Sequence, residues 1–592
     1  MQKEWKVLDP APQSFFDEHP EVPPVIAHLL YHRNIRTQRQ IDEFLNPDYS
    51  VDVHNPFLFR HMERAVARLF TAIEQKEKIV IHGDYDADGV SASTILMTTL
   101  KLLGATEIDV FLPHRELDGY GINSRTVELL HKENAKVIIT CDCGISNTAE
   151  ITQAENFGMN VIVTDHHTIP EILPPAYAII HPKIEGETYP DKGLSGGGVA
   201  FKLAQGLLAT HKQTHATLTD GEKHEAAEKW LLDMVAISTV ADMVPLLGES
   251  RTLTKYGLIV LNKTRRIGLQ KLLLEARLLE DDGTMRHEIT ADTIGFQIAP
   301  RINAAGRLDH ANVAFGLLNT ASPTEAVDLA YQLDQNNKDR QKRTEQYVKE
   351  AVAQIENGGQ KNNPVLFVID KDWSTGIVGL IASRVKDKYS KPTIAMGYND
   401  GNIVGSGRSV TGFNMIAAMQ EAPELFLKFG GHPMACGFTL KSPETLEEFK
   451  KTLIEKYNKN TVDFDMTVTL DIDTEIKLID VNWELYDLLE KFKPFGMHND
   501  RPKYVARDLT IVKVEALGAD GKHLKLMVKE QNGPGRKVVG WRLCGENNGN
   551  PNWCKLLKAG DKIDMVFEVD VNEWNGNREL QLTIVDLKKL YT

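Results

Sequence analysis

NVIVTDHH, residues 160–167, decides the fold. An unbroken, mostly β-branched run whose polar change falls at its carboxyl end is the pattern of a strand buried on both faces in a parallel sheet. In open α/β sheets ligands bind just beyond that end, where Asp165, His166 and His167 stand. Two more runs share the design. KIVIHGDYDADG (78–89) leads from a strand into Asp84, Asp86 and Asp88, and KVIITCDCG (136–144) ends at Asp142. One apolar run ending in Asp carries little information. Three within one α/β domain's length, beside the histidine pair, exceed what helix caps require and point to a single metal site.

Outward from that edge the chain alternates strands and helices. Strands are expected near 78–82, 107–112, 137–141, 160–164 and 177–181, which predicts a mostly parallel sheet covered on both faces. Upstream, residues 1–50 are proline-punctuated, with helices at 25–31 and in RTQRQIDEFLN (36–46), and 61–75 reads as an amphipathic helix. Downstream, LSGGGVAFKLAQGLL (194–208) is a glycine loop opening a helix, and 222–261 is helical. The interval holding GFQIAPRINAAGRLDH (295–310) reads as turn-rich, and 323–356 as a long polar helix of the kind that bridges domains. NPVLFVID (363–370) and KPTIAMGY (391–398) flank a helical GIVGLIASRVKDKY (376–389), a second, smaller α/β unit. Beyond 461, short alternating strands suggest an OB-like barrel. The expected division is an N-terminal helical segment (1–50), a catalytic domain (51–265), a turn-rich segment with the connecting helix (266–356), a second α/β domain (357–460) and the barrel (461–592).

At 592 residues a prior of roughly 150 per domain suggests about four domains. Apolar and charged fractions of 42% and 25% are those of an ordinary folded chain. A net charge of -14 argues against a general nucleic-acid coat but leaves room for a local cationic groove. Five cysteines (141, 143, 436, 544, 554) without a CxxC pair fit a reducing compartment, with neither structural zinc nor a disulfide frame. The opening MQKEWKVLDP is polar, and no apolar run is long enough to span a bilayer. A cytoplasmic protein with no membrane partner is expected.

In DYDADG, Asp84 and Asp86 can converge on a cation from one tight loop, although alone an N-cap would explain them. Asp142, on its own strand end, can lie between two ions. His166 is a candidate ligand, and His167 a contact to a phosphate or an orienter of the scissile group. Asp242, in STVADMVPL, supplies another carboxylate, against the alternative of a helix end before Pro245. This oxygen-rich set with imidazole and no thiolate favours manganese or magnesium over structural zinc. Two such ions, ~3.5–4 Å apart, generate hydroxide and stabilise a leaving oxygen, which implies hydrolysis of a phosphate ester or anhydride. Anion-binding candidates are Arg115 after a strand end in LPHRELDGYG; Arg301, Asn303 and Arg307 in PRINAAGRL; Ser406 and Arg408 on a glycine-loosened loop in VGSGRS; and the amides of Gly430 and Gly431 beside His432.

VIHGDYDADGVSAS (80–93), ITCDCGIS (139–146), VTDHH (163–167) and TVADMVPL (239–246) resemble the four motifs of the DHH phosphoesterase superfamily. PRINAAGR (300–307), SGRS (406–409) and GGHPMACG (430–437) resemble motifs found farther along in its single-strand-specific DNA exonucleases. The resemblance implies a DHH domain and a DHHA1-like domain clamped around a groove, joined by a long helix and followed by the barrel. It implies manganese- or magnesium-dependent, processive 5′-to-3′ degradation of single-stranded DNA to mononucleotides, in recombination and repair. Asp84, Asp86, Asp142, His166 and Asp242 would hold two ions, with His167 at the phosphate; Arg115, Arg301, Ser406 and Arg408 would bind the terminal 5′-phosphate or adjacent backbone. Expected partners are single-stranded DNA and the helicase and single-strand-binding protein that supply it, and a monomer is expected. The chain departs from the family at Ser374, where a histidine is expected after Trp373. The extra C-terminal domain of longer relatives is expected to be absent. His82 either reaches a metal or braces the loop, and Trp541, Trp553, Trp574 and Phe567 are either base-stacking platforms or barrel core. Two other readings stand beside this one: a DHH hydrolase of short oligonucleotides, cyclic dinucleotides or pyrophosphate, and a non-catalytic replication scaffold. The added barrel weighs against the first, the complete ligand set against the second.

Overall fold

The computed structural model describes residues 3–460, 468–531, 533–545, 551–574 and 576–590, with the side chain of Trp574 outside the described residues. The chain forms two compact units, Asp48–Phe464 and a unit made of Met1–Pro47 with Asp465–Thr592.

The first unit contains the expected parallel sheet. Its strands are β1 (Lys78–His82), β2 (Ile108–Phe111), β3 (Ala135–Cys141), β4 (Asn160–Thr164) and β5 (Ala178–Ile180), in the order β2-β1-β3-β4-β5 and all parallel. Alternate residues feed separate cores: Ile79, Ile81, Val137 and Ile139 pack on one face, Val80, Ile138, Val161 and Val163 on the other. Both faces are therefore dry, as the unbroken apolar runs require. Register brings the strand ends level. His82 lies opposite Thr140 and Cys141 opposite Thr164, so Asp84, Asp142 and Asp165 emerge at one edge. Helices α1 (Ala87–Leu102), α2 (Gly196–Lys212) and α3 (Leu232–Ala241) pack against one another beside this edge.

The turn-rich expectation for 295–310 is corrected. That stretch is a π-helical turn, Ile294–Ile298, running into α4 (Ala299–Leu308). Pro300 sits in the first turn of α4, where its missing N–H costs nothing. Gly306 is internal because a Cβ there would lie 2.5 Å from the Tyr85 carbonyl oxygen. Both apparent turn residues thus serve a helix. The long polar helix is present as α5 (Pro323–Asn357), 35 residues capped by Ser322. Ala326, Ala330 and Leu333 join the first core, Ala351 and Ile355 a second, and the polar middle spans between them.

The second α/β unit holds β6 (Leu366–Ile369), α6 (Thr375–Tyr389), β7 (Thr393–Asn399), β8 (Asn402–Arg408), β9 (Phe426–His432) and β10 (Ala435–Leu440), with sheet order β9-β10-β8-β7-β6. Ser406 and Arg408 therefore stand on a strand, not on the expected loop. The reason is packing. A Cβ at Gly405 would meet the Phe438 ring at 2.3 Å, and one at Gly407 the Met415 sulfur at 2.2 Å. Glycine fits the crowded face of β8, and the intervening Ser406 and Arg408 point the other way.

In the second unit, β11 (Tyr504–Leu517), β12 (His523–Lys529), β13 (Arg536–Gly540), β14 (Lys562–Trp574) and β15 (Asn577–Leu590) pair as β11-β12-β13-β15-β14, and β14 returns to β11. That closure is the OB barrel. Strand Glu4–Val7 runs parallel to Thr469–Ile472, and buried Arg33 bonds Asn499 (2.8 Å) and the Asp500 carbonyl (2.6 Å), so the N-terminal segment belongs to the barrel's unit. One open alternative closes here and one expectation fails. Phe567 is fully buried against Tyr504 and is core. Cys544 and Cys554 form a disulfide, their Cα atoms 5.0 Å apart, within the range a disulfide spans; Cys141, Cys143 and Cys436 are free.

A candidate two-metal centre and its phosphate groove

Each strand end contributes a side chain for a local reason. Asp86 is the N-cap of α1, its Oδ1 accepting from the amides of Asp88 (2.9 Å) and Gly89 (3.1 Å). Gly89 lies close against Asp84, since a Cβ there would fall 2.6 Å from the Asp84 backbone. Asp142 has φ 61°, a left-handed conformation that Asp tolerates better than most residues, of the kind that clusters at functional sites. Asp165 is not aimed at the cluster. Its carboxylate accepts from the amides of Ile145 (3.0 Å), His166 (2.7 Å) and His167 (3.1 Å) and contacts His167 Nδ1 at 2.7 Å, holding both histidines in place.

The result is a dense cluster. His166 Nε2 lies 3.1 Å from Asp142 Oδ1, 3.4 Å from Asp242 Oδ2 and 3.7 Å from Asp88 Oδ2. Three sets have ligand-like spacing: Asp88, His166 and Asp242; Asp142, His166 and His167; and Asp84, Asp86 and Asp142, so His166 and Asp142 each belong to two. All five expected ligand residues are thus brought together. Asp88, which the sequence places at the same edge but which is not among the expected ligands, joins them. It closes the first group while accepting from the amides of Gly196 (2.8 Å) and Gly197 (2.7 Å) and from Ser238 Oγ (2.6 Å). The D-x-D-x-D spacing was its signal. His82 is outside the three groups: it is buried under the loop, stacked on Phe111, with Nε2 unpartnered.

The electrostatics call for a cation. Burial and then mutual repulsion push Asp84 and Asp142 well above the usual carboxylate range, Asp242 to about 8 and Asp88 to about 6. The Asp84 Oδ1 atom is buried without a hydrogen-bond partner. Burial lowers His166 to about 3, leaving a neutral imidazole free to ligate, and raises the nearby Cys141 thiol to about 12, out of use as a thiolate. Carboxylates with one neutral imidazole and no thiolate fit Mn²⁺ or Mg²⁺. His167 differs. Burial opposes its protonation, but the hydrogen bond and charge of Asp165 outweigh that and hold it protonated up to about 9. The Tyr120 hydroxyl donates to the Asp142 carbonyl at 3.0 Å and lies 3.1 Å from His167 Nδ1.

Beside the cluster opens a groove of about 810 Å³, lined by both α/β halves of this unit. Arg115 lies over the Tyr85 ring at 4.7 Å, Arg307 donates to the Gly376 carbonyl at 3.0 Å, and Arg408 to Ser406 Oγ at 2.7 Å. Burial and then neighbouring Arg115 lower Arg307 to about 9, and no carboxylate pairs with these three arginines among the described residues. Arg301 and Asn303 are elsewhere. Arg301 is held by Asp334 (3.0 Å) and the Gln297 carbonyl (2.7 Å), and Asn303 Oδ1 accepts from the Ala87 amide at 2.8 Å, bracing the metal loop. Gly430 lines the groove with Lys428 and Phe429. Gly431 and His432 lie farther along the edge strand β9, outside the lining, with their backbone paired to β10. In the barrel unit Trp541 is exposed and Trp553 half-buried, and Trp483, not anticipated, lines a pocket under Arg578 (5.4 Å). No helix among the described residues is long and apolar enough to cross a membrane.

Comparison with known proteins agrees with this geometry. Family models match at residues 78–239 (DHH family, N-terminal domain), 362–459 (DHHA1 domain) and 472–586 (RecJ OB domain). The chain is 35% identical to the single-stranded-DNA-specific exonuclease RecJ of Bacillus subtilis, over 96% of this chain and 68% of that one. It is 31% identical to the Escherichia coli protein of the same name, over 95% and 96%. The crystal structure of Thermus thermophilus RecJ in complex with Mn²⁺ superimposes with a TM-score of 0.80 at 27% identity, over 100% of this chain and 80% of that one. The Mg²⁺ complex gives 0.75 at 25% identity, over 100% and 79%.

Proposed function

The chain belongs to the RecJ family of DHH enzymes, and from that premise we propose that it hydrolyses single-stranded DNA from the 5′ end, releasing mononucleotides, with Mn²⁺ or Mg²⁺. One observation carries the reading: carboxylate sets linked through Asp142 and His166 lie beside a groove that holds three arginines with no carboxylate partner among the described residues. Asp88, His166 and Asp242, with Asp142 3.1 Å from His166, would hold one ion, and Asp84, Asp86 and Asp142 the other. Bound there, divalent ions activate water and neutralise charge on the leaving oxygen.

The remaining steps belong to side chains. Arg115, Arg307 and Arg408 grip the terminal phosphate, which sets the end of the strand against the cluster. His167, kept protonated by Asp165, stands 3.8 Å from Asp142 Oδ1 and donates to a phosphate oxygen as charge develops. Barrel aromatics such as Trp541 and Trp483 offer single-stranded bases a stacking surface. A helicase and a single-strand-binding protein would supply such strands.

The test is hydrolysis with Mn²⁺ of a 5′-labelled single strand, the matching duplex and a dinucleotide. Labelled mononucleotide released first from the single strand supports the reading. Preference for the dinucleotide would move the chain to the short-substrate hydrolases, and no release from any substrate would leave a scaffold.

A further inference from the structure

The loop that carries Arg115, residues 112–123, joins β2 to the next helix; its later part is tied down by Tyr120 on Asp142 and by Asn147 on the Ile122 carbonyl, whereas its tip, 114–118, is bonded mainly to itself. The His114 amide donates to Asp118 Oδ2 and the Asp118 amide to the His114 carbonyl, each at 2.8 Å, while the Glu116 and Leu117 amides reach His114 Nδ1 at 3.2 and 3.3 Å. Three side chains leave that closed turn: the His114 ring meets His310 at 5.8 Å, Arg115 lies over Tyr85, and Glu116 makes the one hydrogen bond out of it among the described residues. Glu116 Oε1 accepts from Thr375 Oγ1 at 2.5 Å, a contact between residues 259 apart that joins the two halves across the groove.

Thr375 is the first residue of α6, and α6 is uncapped from its own side: its N-cap, Ser374, makes no side-chain capping bond. A carboxylate at a helix N-terminus is favoured by the unpaired amides and the dipole. The next turn of α6 holds the other arginines. A Cβ at Gly376 would lie 2.4 Å from the Arg307 carbonyl oxygen, and one at Gly379 3.0 Å from Arg408 Nη2, so both arginines pack on this turn with no slack. One residue from the contact on the other side is Arg115.

We propose that the Glu116–Thr375 contact is the strap that sets Arg115 at its working distance from Arg307 and Arg408, and so determines how strongly the groove prefers a terminal phosphate. The proposal rests on the phosphate-gripping role given to these arginines above. Arg115 sits on a self-contained turn, whereas Arg307 and Arg408 are fixed by glycine contacts to α6. Without the strap, no hydrogen bond among the described residues ties this turn to α6, and only the ring contacts of His114 with His310 and of Arg115 with Tyr85 remain. Glu116 and Thr375 are positioning residues and touch no phosphate.

The test is equilibrium binding of 5′-phosphate and 5′-hydroxyl oligonucleotides to the full chain in EDTA, where hydrolysis plays no part. The wild type should prefer the phosphate end. Thr375→Val, which keeps the shape and removes the donor, and Glu116→Ala should each cut that preference on the order of tenfold, the worth of a hydrogen bond to a charged group. Thr375→Ser should restore it, and the double variant should be no worse than either single one. A preference unchanged within twofold, an absent preference in the wild type, or tighter phosphate binding by Glu116→Ala would each overturn the strap. In the last case the carboxylate would be competing for the anion instead. Because no cleavage is read, failure of the strap is distinguishable from failure of the nuclease reading.

Discussion

Gly306→Ala tests whether helix α4 sets the metal loop. The added Cβ would stand 2.5 Å from the Tyr85 carbonyl oxygen, between the metal-group residues Asp84 and Asp86. An ordinary contact needs about 3.5 Å, so helix and loop must part by about 1 Å. Neither side yields easily, because the opposing atom is backbone and the Ala87 amide is already bonded to Asn303 of the same helix at 2.8 Å. Overpacking of this kind costs about 1–3 kcal/mol, against which the better helix propensity of alanine returns about 1 kcal/mol. Net stability should therefore fall modestly. Hydrolysis should fall by about 10²-fold, the loss expected when catalytic groups are misplaced by about 1 Å. Gly316→Ala is the control: its Cβ would meet only Leu329 Cδ1 at an ordinary 3.5 Å, within helix Asn312–Asn319. That variant should gain about 0.5–1 kcal/mol and keep full activity. Melting curves and single-turnover rates with Mn²⁺ read both. Gly306→Ala retaining wild-type rate and stability would refute the coupling of helix to loop.

Asp142→Ala should abolish hydrolysis while DNA binding remains measurable by anisotropy, because the residue belongs to two of the ligand sets; a wild-type rate would contradict the shared position. Asp88 and Asp242, raised by burial to about 6 and about 8, keep protons in the folded metal-free chain that the unfolded chain gives up near pH ~4. Stability in EDTA should therefore be greatest at low pH and fall as pH rises through 6 and 8, whereas Mn²⁺ should remove the fall and release protons; a metal-free Tm that rises over this range would contradict it. Lys202→Met leaves Glu249 without the cation that contacts it at 2.8 Å in a fully buried pair, and should cost about 3–5 kcal/mol in urea unfolding. Adding Glu249→Gln should recover most of that loss, and no recovery would mean the cost lies in packing.

The catalytic half was legible because its signals are local. A β-branched run ending in Asp or His identifies both a buried parallel strand and the side chains at its carboxyl end, and register then aligns those ends without further instruction. Residues whose role depends on a distant partner were harder. Arg301 and Arg307 share one motif, but the long helix's Asp334 claims Arg301 and leaves Arg307 to the groove. Asn303 looked like a substrate contact and instead holds the Ala87 amide. Glycines and proline misled where their cause was non-local: Gly405 and Gly407 make room for Phe438 and Met415, and Gly306 for the Tyr85 carbonyl, so strand and helix were read as loop and turn. Asp88 was visible but indistinguishable from a helix-start acid until α2 and His166 were placed beside it.

Anomalous scattering from Mn²⁺-soaked crystals reads directly whether two cation positions share one aspartate. Two peaks are expected, one among Asp88, Asp142, His166 and Asp242 and one among Asp84, Asp86 and Asp142, with both lost in Asp142→Ala. Peaks lying away from Asp142, or none at saturating Mn²⁺, would contradict the shared position.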